Sequence, residues 1–365
     1  MNYQSAIYSK YLSNEKMVAV VSDESLIEKM LRFEAGLAKA QQKLGIIPSF
    51  AAESIINAVN KVKIKPADLA EGTLRDGIPV TSLLSIVRNQ LVEDAKPYLH
   101  YGATSQDTLD TAQILIIMAG VDHLTTMWGE LESKLRNLDS MYGSVKCMAR
   151  TRGQLAAPIS FGDRIRSWLE PFERLHDNWK VIAPRLLKVQ LGGAVGDLSF
   201  FKPNGKALVD ELASQLALNS ATSWHVQRDS LAEFTNWLAM YSSVAGKMGA
   251  DILVMSQNEI GEVEELAGGG GKSSAMPHKN NPVLSEALVA LSKLNASLQS
   301  RILQGMVHSG ERDATAWILE WETVRQMMIY TATSLSHATT ISGSMKVHTE
   351  VMENNVAAFL SKNRK

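Results

Sequence analysis

The sequence predicts an all-α protein built around a bundle of long helices. Three observations carry this. The 365 residues include only 10 prolines, hold abundant alanine and leucine, and are 45% hydrophobic, a composition that favours helices. Five stretches from residue 107 onward repeat apolar residues at steps of three and four, the period of one helix face. The clearest stretch, about 228–265, puts Leu231, Phe234, Leu238, Tyr241, Val244, Met248, Ile252 and Met255 on one stripe with no proline. At about 1.5 Å per residue it would run over about 50 Å. So long a stripe outruns the core of a compact monomer and predicts a bundle shared between subunits.

In chain order, Leu26, Met30, Phe33, Leu37 and Ala40 predict a helix over 24–46, closed by Gly45. A second helix is predicted over about 52–62. Residues 70–82, with Gly72, Gly77 and Pro79, read as a loop. These elements form a predicted N-terminal helical domain, residues 1–105. The central domain, residues 106–345, takes the five long helices: about 107–141, 158–180, 228–265, 282–307 and 317–341. Between them, the glycines of 190–205 predict a short hairpin or loop. Residues 346–365 are left as a short C-terminal stub.

The formal net charge is −1 and the pI about 6.7. No polyanion or membrane-surface partner is implied. A single cysteine, Cys147, excludes an internal disulfide and a cysteine-rich metal site. The N-terminus lacks a basic region followed by an apolar one, and no apolar run is long enough for a bilayer. The expectation is a cytoplasmic protein that binds neither nucleic acid nor membrane. The histidines never fall in H-x-x-x-H or H-E-x-x-H spacing, so no metal is expected, and no other cofactor.

Three short strings carry chemistry. Gly268 to Gly271 precede Lys272-Ser273-Ser274-Ala275-Met276-Pro277-His278-Lys279-Asn280-Asn281-Pro282. Gly-Lys-Ser resembles part of a phosphate-binding loop, but that motif needs glycine at 266 and Leu266 stands there. A glycine run is otherwise usually a flexible linker, but Met-Pro-His-Lys-Asn-Asn-Pro is far from linker composition. What remains is a glycine-hinged loop with hydroxyls and an ammonium. Asn281-Pro282 reads as a helix N-cap and first position. Such a loop suits an anionic substrate and a developing negative charge.

The second string, His100-Tyr101-Gly102-Ala103-Thr104-Ser105-Gln106-Asp107, sets two hydroxyls and an amide before a helix. They can cap the helix or hold a carboxylate. The third, Arg150-Thr151-Arg152-Gly153-Gln154-Leu155-Ala156-Ala157-Pro158, carries two arginines beside an amide.

Together these strings resemble the signatures of the fumarase/aspartase superfamily. The likeness extends to Trp224–Asp229, Gln257–Val263, Gly192–Gly196 and Gly310–Arg312, and so covers most of residues 20–340. The resemblance implies a central domain of five helices per subunit, a twenty-helix core in a homotetramer, and active sites shared between subunits. It also implies a third, C-terminal domain, which is reduced or missing here. By resemblance, Ser273 exchanges the proton next to a carboxylate, although on chemistry alone Ser274 serves equally. Lys279 and Asn281 then bind the carboxylate on which charge collects. Thr104 and Ser105 hold another carboxylate, and His100 lies near the substrate; a lone histidine is otherwise usually structural.

Arg152 departs from the lyases' Arg-Thr-His-x-Gln-x-Ala-x-Pro, in which histidine takes its place, while Thr151, Gln154, Ala156 and Pro158 fit. Releasing an amine requires a proton, which histidine supplies. Opening a lactone releases a carboxylate of pKa about 4, which needs none. Arginine grips carboxylates at two points and keeps its charge. Unless Arg152 is only a surface charge, it points to the members that lactonise 3-carboxy-cis,cis-muconate, a step of protocatechuate breakdown, and away from adenylosuccinate lyase and other fumarate-releasing lyases. A non-catalytic structural homologue is a further alternative. The expected substrate is thus a small tricarboxylate. Gln154 joins the substrate-binding set. Arg228 and Arg312 are candidates either for carboxylate contacts or for structural ion pairs.

Overall fold

A computed structural model describes residues 5–266, 271–272, 275–276 and 279–363. The N-terminal part is helical: α1 (Ser9–Leu12), α2 (Glu15–Val20), α3 (Asp23–Lys43), α4 (Ser49–Lys61), α5 (Pro66–Asp76) and α6 (Val80–Arg88). The expected loop over 70–82 is therefore mostly helix. Its start was marked by Pro66 at the first helical position and by Asp68, whose carboxylate accepts the Lys65 N–H at 2.8 Å. Its end is Gly77, left-handed at φ 75°. Ile27, Met30, Ile55, Leu83 and Leu99 pack here with Leu109 and Trp317 of later helices.

The five predicted long helices are α7 (Ser105–Tyr142), α8 (Phe161–Leu186), α10 (Asp229–Met255), α11 (Val283–Gly305) and α12 (Ala314–Ser344), with the shorter α9 (Gly205–Leu216) beside α3. α10 stops ten residues before its expected end, so its 27 residues span about 40 Å rather than over 50 Å. The apolar stripe itself ends at Met255, and a turn with left-handed Gly261 (φ 60°) follows.

Side-chain bonds fix the helix directions. Trp168 Nε1 donates to Asp251 Oδ2 (2.6 Å) and Trp237 Nε1 to the Leu175 carbonyl (2.7 Å), so α8 runs against α10. Gln299 Nε2 reaches the Ala232 carbonyl (3.2 Å), while Gly249 lies against Ser285, so α11 does too. Arg228 meets Glu320 and Leu238 meets Thr331, so α12 runs alongside α10. α7 starts beside them through Asp110 and Arg228. The bundle has a proximal end, where α7, α10 and α12 begin, and a distal end, where they finish.

Trp168, Phe172, Phe234, Leu238, Met248, Ile252, Met328 and Leu335 fill the bundle core. Each buried side chain of this size is worth roughly 1.5–3 kcal/mol. Within that core Asn295 Nδ2 donates to Ser242 Oγ (2.6 Å) and Thr331 Oγ1 (3.0 Å), a polar set that ties α10, α11 and α12 in one register. Among the described residues no helix is long and apolar enough to cross a membrane.

Residues 190–205 form a loop and not a hairpin; the hairpin is β1 (Lys146–Thr151) with β2 (Gln154–Ser160) at the distal end. There too β3 (Val263–Glu264) pairs antiparallel with β4 (Lys346–Val347), and α13 (Thr349–Lys362) follows, packing on β1.

Candidate active site

At the proximal end Thr104 and Ser105 start α7. Their backbone is fixed by Asp107, a fully buried carboxylate. Asp107 Oδ2 accepts N–H groups of Thr104 (2.9 Å) and Gly193 (3.0 Å). Oδ1 accepts from Gly192 N–H (2.8 Å), His225 Nε2 (2.9 Å) and Gln190 Nε2 (3.3 Å). The glycine turn 192–196 is thus welded to the Thr104–Ser105 corner. Gly102 is left-handed at φ 71°, and a Cβ there would sit 2.3 Å from the Phe201 ring. Only glycine fits. The Ser105 hydroxyl has no partner among the described residues.

His100 lies in the same corner, its Nδ1 2.8 Å from Glu34 Oε1. Arg312 is exposed, yet anchored: Nε donates to Gln106 Oε1 (3.0 Å) and Nη2 to the Ala194 carbonyl (3.1 Å). Its charge is thus presented to solvent above the Thr104–Ser105 corner.

Arg228 does not fit the expected role of a carboxylate contact. It is 2% exposed and wedged between two acids. Nη1 and Nη2 meet Asp110 at 2.8 and 3.1 Å, Nε meets Glu320 Oε1 at 2.8 Å, and Nη2 also bonds Glu320 Oε2. The guanidinium lies 4.8 Å from the Trp224 ring centre. Burial opposes its charge, but Asp110 and Glu320 outweigh burial and hold its pKa above the ordinary arginine value. Four of its five N–H donors are taken by these two acids. Of the two readings left open by the sequence, the ion pair describes Arg228.

At the distal end Arg152 and Gly153 form the two-residue turn between β1 and β2, with φ of 52° and 83°. Two left-handed residues match the twist of the strands they join. Arg152 and Gln154 are both exposed there. Arg150 Nη1 stands 3.9 Å from the buried Glu262 Oε2, beside the root of the glycine loop.

Ser273 lies outside the described residues, as does Ser274. Lys279 is exposed; its N–H donates to the Met276 carbonyl (3.0 Å). Asn281 was expected to cap α11. Instead its backbone N–H and its Nδ2 both bond the Gly271 carbonyl, at 2.8 and 2.9 Å, closing the loop on itself. The cap of α11 is Glu265, whose carboxylate accepts Leu284 N–H (2.8 Å), Ser285 N–H (2.9 Å) and Ser285 Oγ (2.6 Å). A remote carboxylate thus fills the helix terminus that the sequence offered to the substrate. Tyr11 pins the same corner by donating to the Val283 carbonyl (2.7 Å).

The candidate residues fall into two groups. His100, Thr104, Ser105 and Arg312 sit at the proximal end. Arg152, Gln154, Lys279 and Asn281 belong to the distal end. Between the groups lie the 38 residues of α7, about 57 Å, and the 23 of α11, about 35 Å.

Sequence reasoning missed Glu34 and Glu265. Glu34 carried a signal, a carboxylate inside the apolar face formed by Met30, Phe33 and Leu37. Glu265 carried none, since its partners lie about twenty residues further along the chain.

The profile of the family described as Lyase matches residues 5–293. A 3-carboxy-cis,cis-muconate cycloisomerase of Acinetobacter baylyi is 35% identical over 360 residues, which cover 96% of this chain and 80% of that protein. An N-acetyl-S-(2-succino)cysteine lyase of Enterococcus italicus is 31% identical over 353 residues, covering 94% of this chain and 76% of that one. Among solved structures, the 3-carboxy-cis,cis-muconate lactonizing enzyme of Pseudomonas putida superposes with a TM-score of 0.91 at 30% identity, covering 97% of this chain and 80% of that one.

Proposed function

Because this chain belongs to the lyase family of the fumarase/aspartase superfamily, we propose that it catalyses the lactonisation of 3-carboxy-cis,cis-muconate. The observation that carries the choice within the family is Arg152, held by a tight turn at an exposed hairpin tip where the lyases carry histidine. A cation that never gives up its proton suits a step in which a carboxylate, not an amine, is bound, attacks or leaves.

In the forward direction one carboxylate oxygen adds to the far carbon of a conjugated double bond of the same molecule. The electron pair moves toward the neighbouring carboxylate, which becomes an aci-carboxylate. A proton then lands on the carbon beside it. Ser273 supplies that proton, and Lys279 and Asn281 stabilise the transient charge. In the structure Asn281 bonds the Gly271 carbonyl, so binding charge requires its amide to turn. Thr104, Ser105, His100 and Arg312 hold a second carboxylate at the α7 N-terminus. Arg152 and Gln154 hold the third. No metal or redox cofactor enters these steps.

The same reading makes the protein a homotetramer with shared sites. A pocket containing both proximal and distal residues needs more than one subunit, because α7 and α11 hold the groups apart. Val254 of α10, Leu294 and Leu303 of α11 and Ile318 of α12 leave apolar surface on the bundle, as an assembling bundle would. The reading divides the chain into an N-terminal domain (1–105), the bundle (106–345) and a C-terminal segment (346–365).

Ultraviolet absorbance tests the reaction. Lactonisation removes a conjugated double bond, so the diene band of 3-carboxy-cis,cis-muconate should decay on mixing with the protein. Parallel mixtures hold adenylosuccinate and N-acetyl-S-(2-succino)cysteine. Decay with the muconate alone supports the reading. Product from either succinyl compound, with the muconate unchanged, would replace it with a fumarate-releasing lyase.

A further inference from the structure

Resting on the reading that His100 faces the substrate, we propose that Glu34 is a positioning residue: it holds His100 as an imidazolium that donates Nδ1–H inward and offers Nε2–H to a substrate carboxylate. Glu34 sits on the apolar face of α3, 1% exposed, between buried Met30, Phe33 and Leu37. A carboxylate in such surroundings is costly unless paired. Its Oε1 meets His100 Nδ1 at 2.8 Å and accepts from Thr108 Oγ1 at 3.1 Å; Oε2 is buried without a partner among the described residues.

The backbone is built for the same pairing. His100 is left-handed at φ 61°, uncommon for a residue with a side chain. The turn is held by Ala103 N–H on the His100 carbonyl (3.2 Å) and Gln41 Nε2 on the Tyr101 carbonyl (2.8 Å). With Nδ1 engaged, Nε2 has no partner among the described residues. The His100 side chain keeps 13% of its surface open, four residues before Thr104. A ring whose inner nitrogen is fixed by a carboxylate presents its outer nitrogen in one direction and one protonation state.

The charged groups around the ring are Glu34 from α3, Asp107 from α7 and Arg88 from α6. Burial works against the cation. The charge and hydrogen bond of Glu34, helped by Asp107 and opposed by Arg88, outweigh burial and raise the His100 pKa above its ordinary value. The cation is thus present below that raised pKa, and its hold on a carboxylate is lost as pH rises through it.

Glu34→Gln keeps the shape and removes the charge, leaving burial and Arg88 to push the pKa down. Two measurements on the full-length protein separate the parts. The first is an NMR pH titration of the His100 Cε1–H signal in free enzyme, assigned with His100→Asn. The second is the pH profile of kcat and KM for 3-carboxy-cis,cis-muconate. The proposal expects the His100 pKa in Glu34→Gln to fall below that of the wild type. KM near pH 7.5 should rise about tenfold, the scale of a lost charge-assisted hydrogen bond, with kcat within about twofold. Glu34→Asp should restore part of both shifts. An unchanged His100 pKa in Glu34→Gln overturns the role of Glu34. A lowered pKa with an unmoved KM profile overturns the contact between His100 and substrate, while leaving lactonisation standing. Should Glu34→Gln fail to fold, Glu34→Asp carries the test, and a pKa and KM profile equal to the wild type's would then overturn it.

Discussion

Arg152 and Arg228 carry the same charge into opposite surroundings, and their substitutions should separate accordingly. Arg228 neutralises Asp110 and Glu320 inside the protein. Arg228→Met leaves the two buried carboxylates without the cation that neutralises them, which costs about 3–5 kcal/mol. A denaturant titration should show that loss. Arg152 is exposed on a turn, so Arg152→Ala should leave the denaturation midpoint in place while lowering kcat/KM roughly 100-fold, if it grips a carboxylate in the transition state. Arg152→Lys, which keeps the charge and loses the two-point grip, should fall between. A normal kcat/KM for Arg152→Ala would remove the basis for choosing lactonisation over amine elimination.

At the scale of elements, the glycine loop is tied at its roots by bonds that the sequence hides. Glu265 caps α11 from across the loop, and its backbone carbonyl accepts Asn280 Nδ2 at 2.9 Å. Glu265→Ala would orphan two helix N–H groups and a hydroxyl. A capping loss of about 1–2 kcal/mol should accompany a drop in kcat larger than any rise in KM, because Lys279 and Asn281 lose their footing. Equal stability of the variant and wild type by thermal denaturation would refute the capping role. The five bundle helices were legible because each repeats apolar residues at helical spacing, most clearly from Leu231 to Met255. α5 was not: it buries little beyond Leu69 and Gly72, Leu74 faces solvent, and only its end signals Pro66, Asp68 and Gly77 betray it. The hairpin was hidden for a related reason. Its strands are short and half exposed, and Arg152-Gly153 read as part of a chemical string before it could read as a turn. The candidate residues were legible as types, but not their partners. Nothing in residue spacing links Glu34 to His100 or Glu265 to Leu284.

For the whole molecule, the separation of the two residue groups makes a test that no single variant can. A near-proximal change, Thr104→Val with Ser105→Ala, disables one end of every subunit that carries it. Lys279→Ala disables the other end. If each pocket combines the proximal end of one subunit with the distal end of another, mixed oligomers contain some pockets with both ends intact. Random assembly of equal amounts would restore up to about a quarter of the sites. Co-expression should therefore recover activity absent from either variant alone, in a particle whose light-scattering mass is four times the 40.0 kDa chain. Mixing the purified oligomers without dissociating them should recover none. If one subunit closed its own site, every pocket in the mixture would carry one lesion, and co-expression would leave the activity at the level of the separate variants. Recovery depends on α7 and α11 being longer than the reach of any side chain, a property of the bundle that no local change at either end would alter.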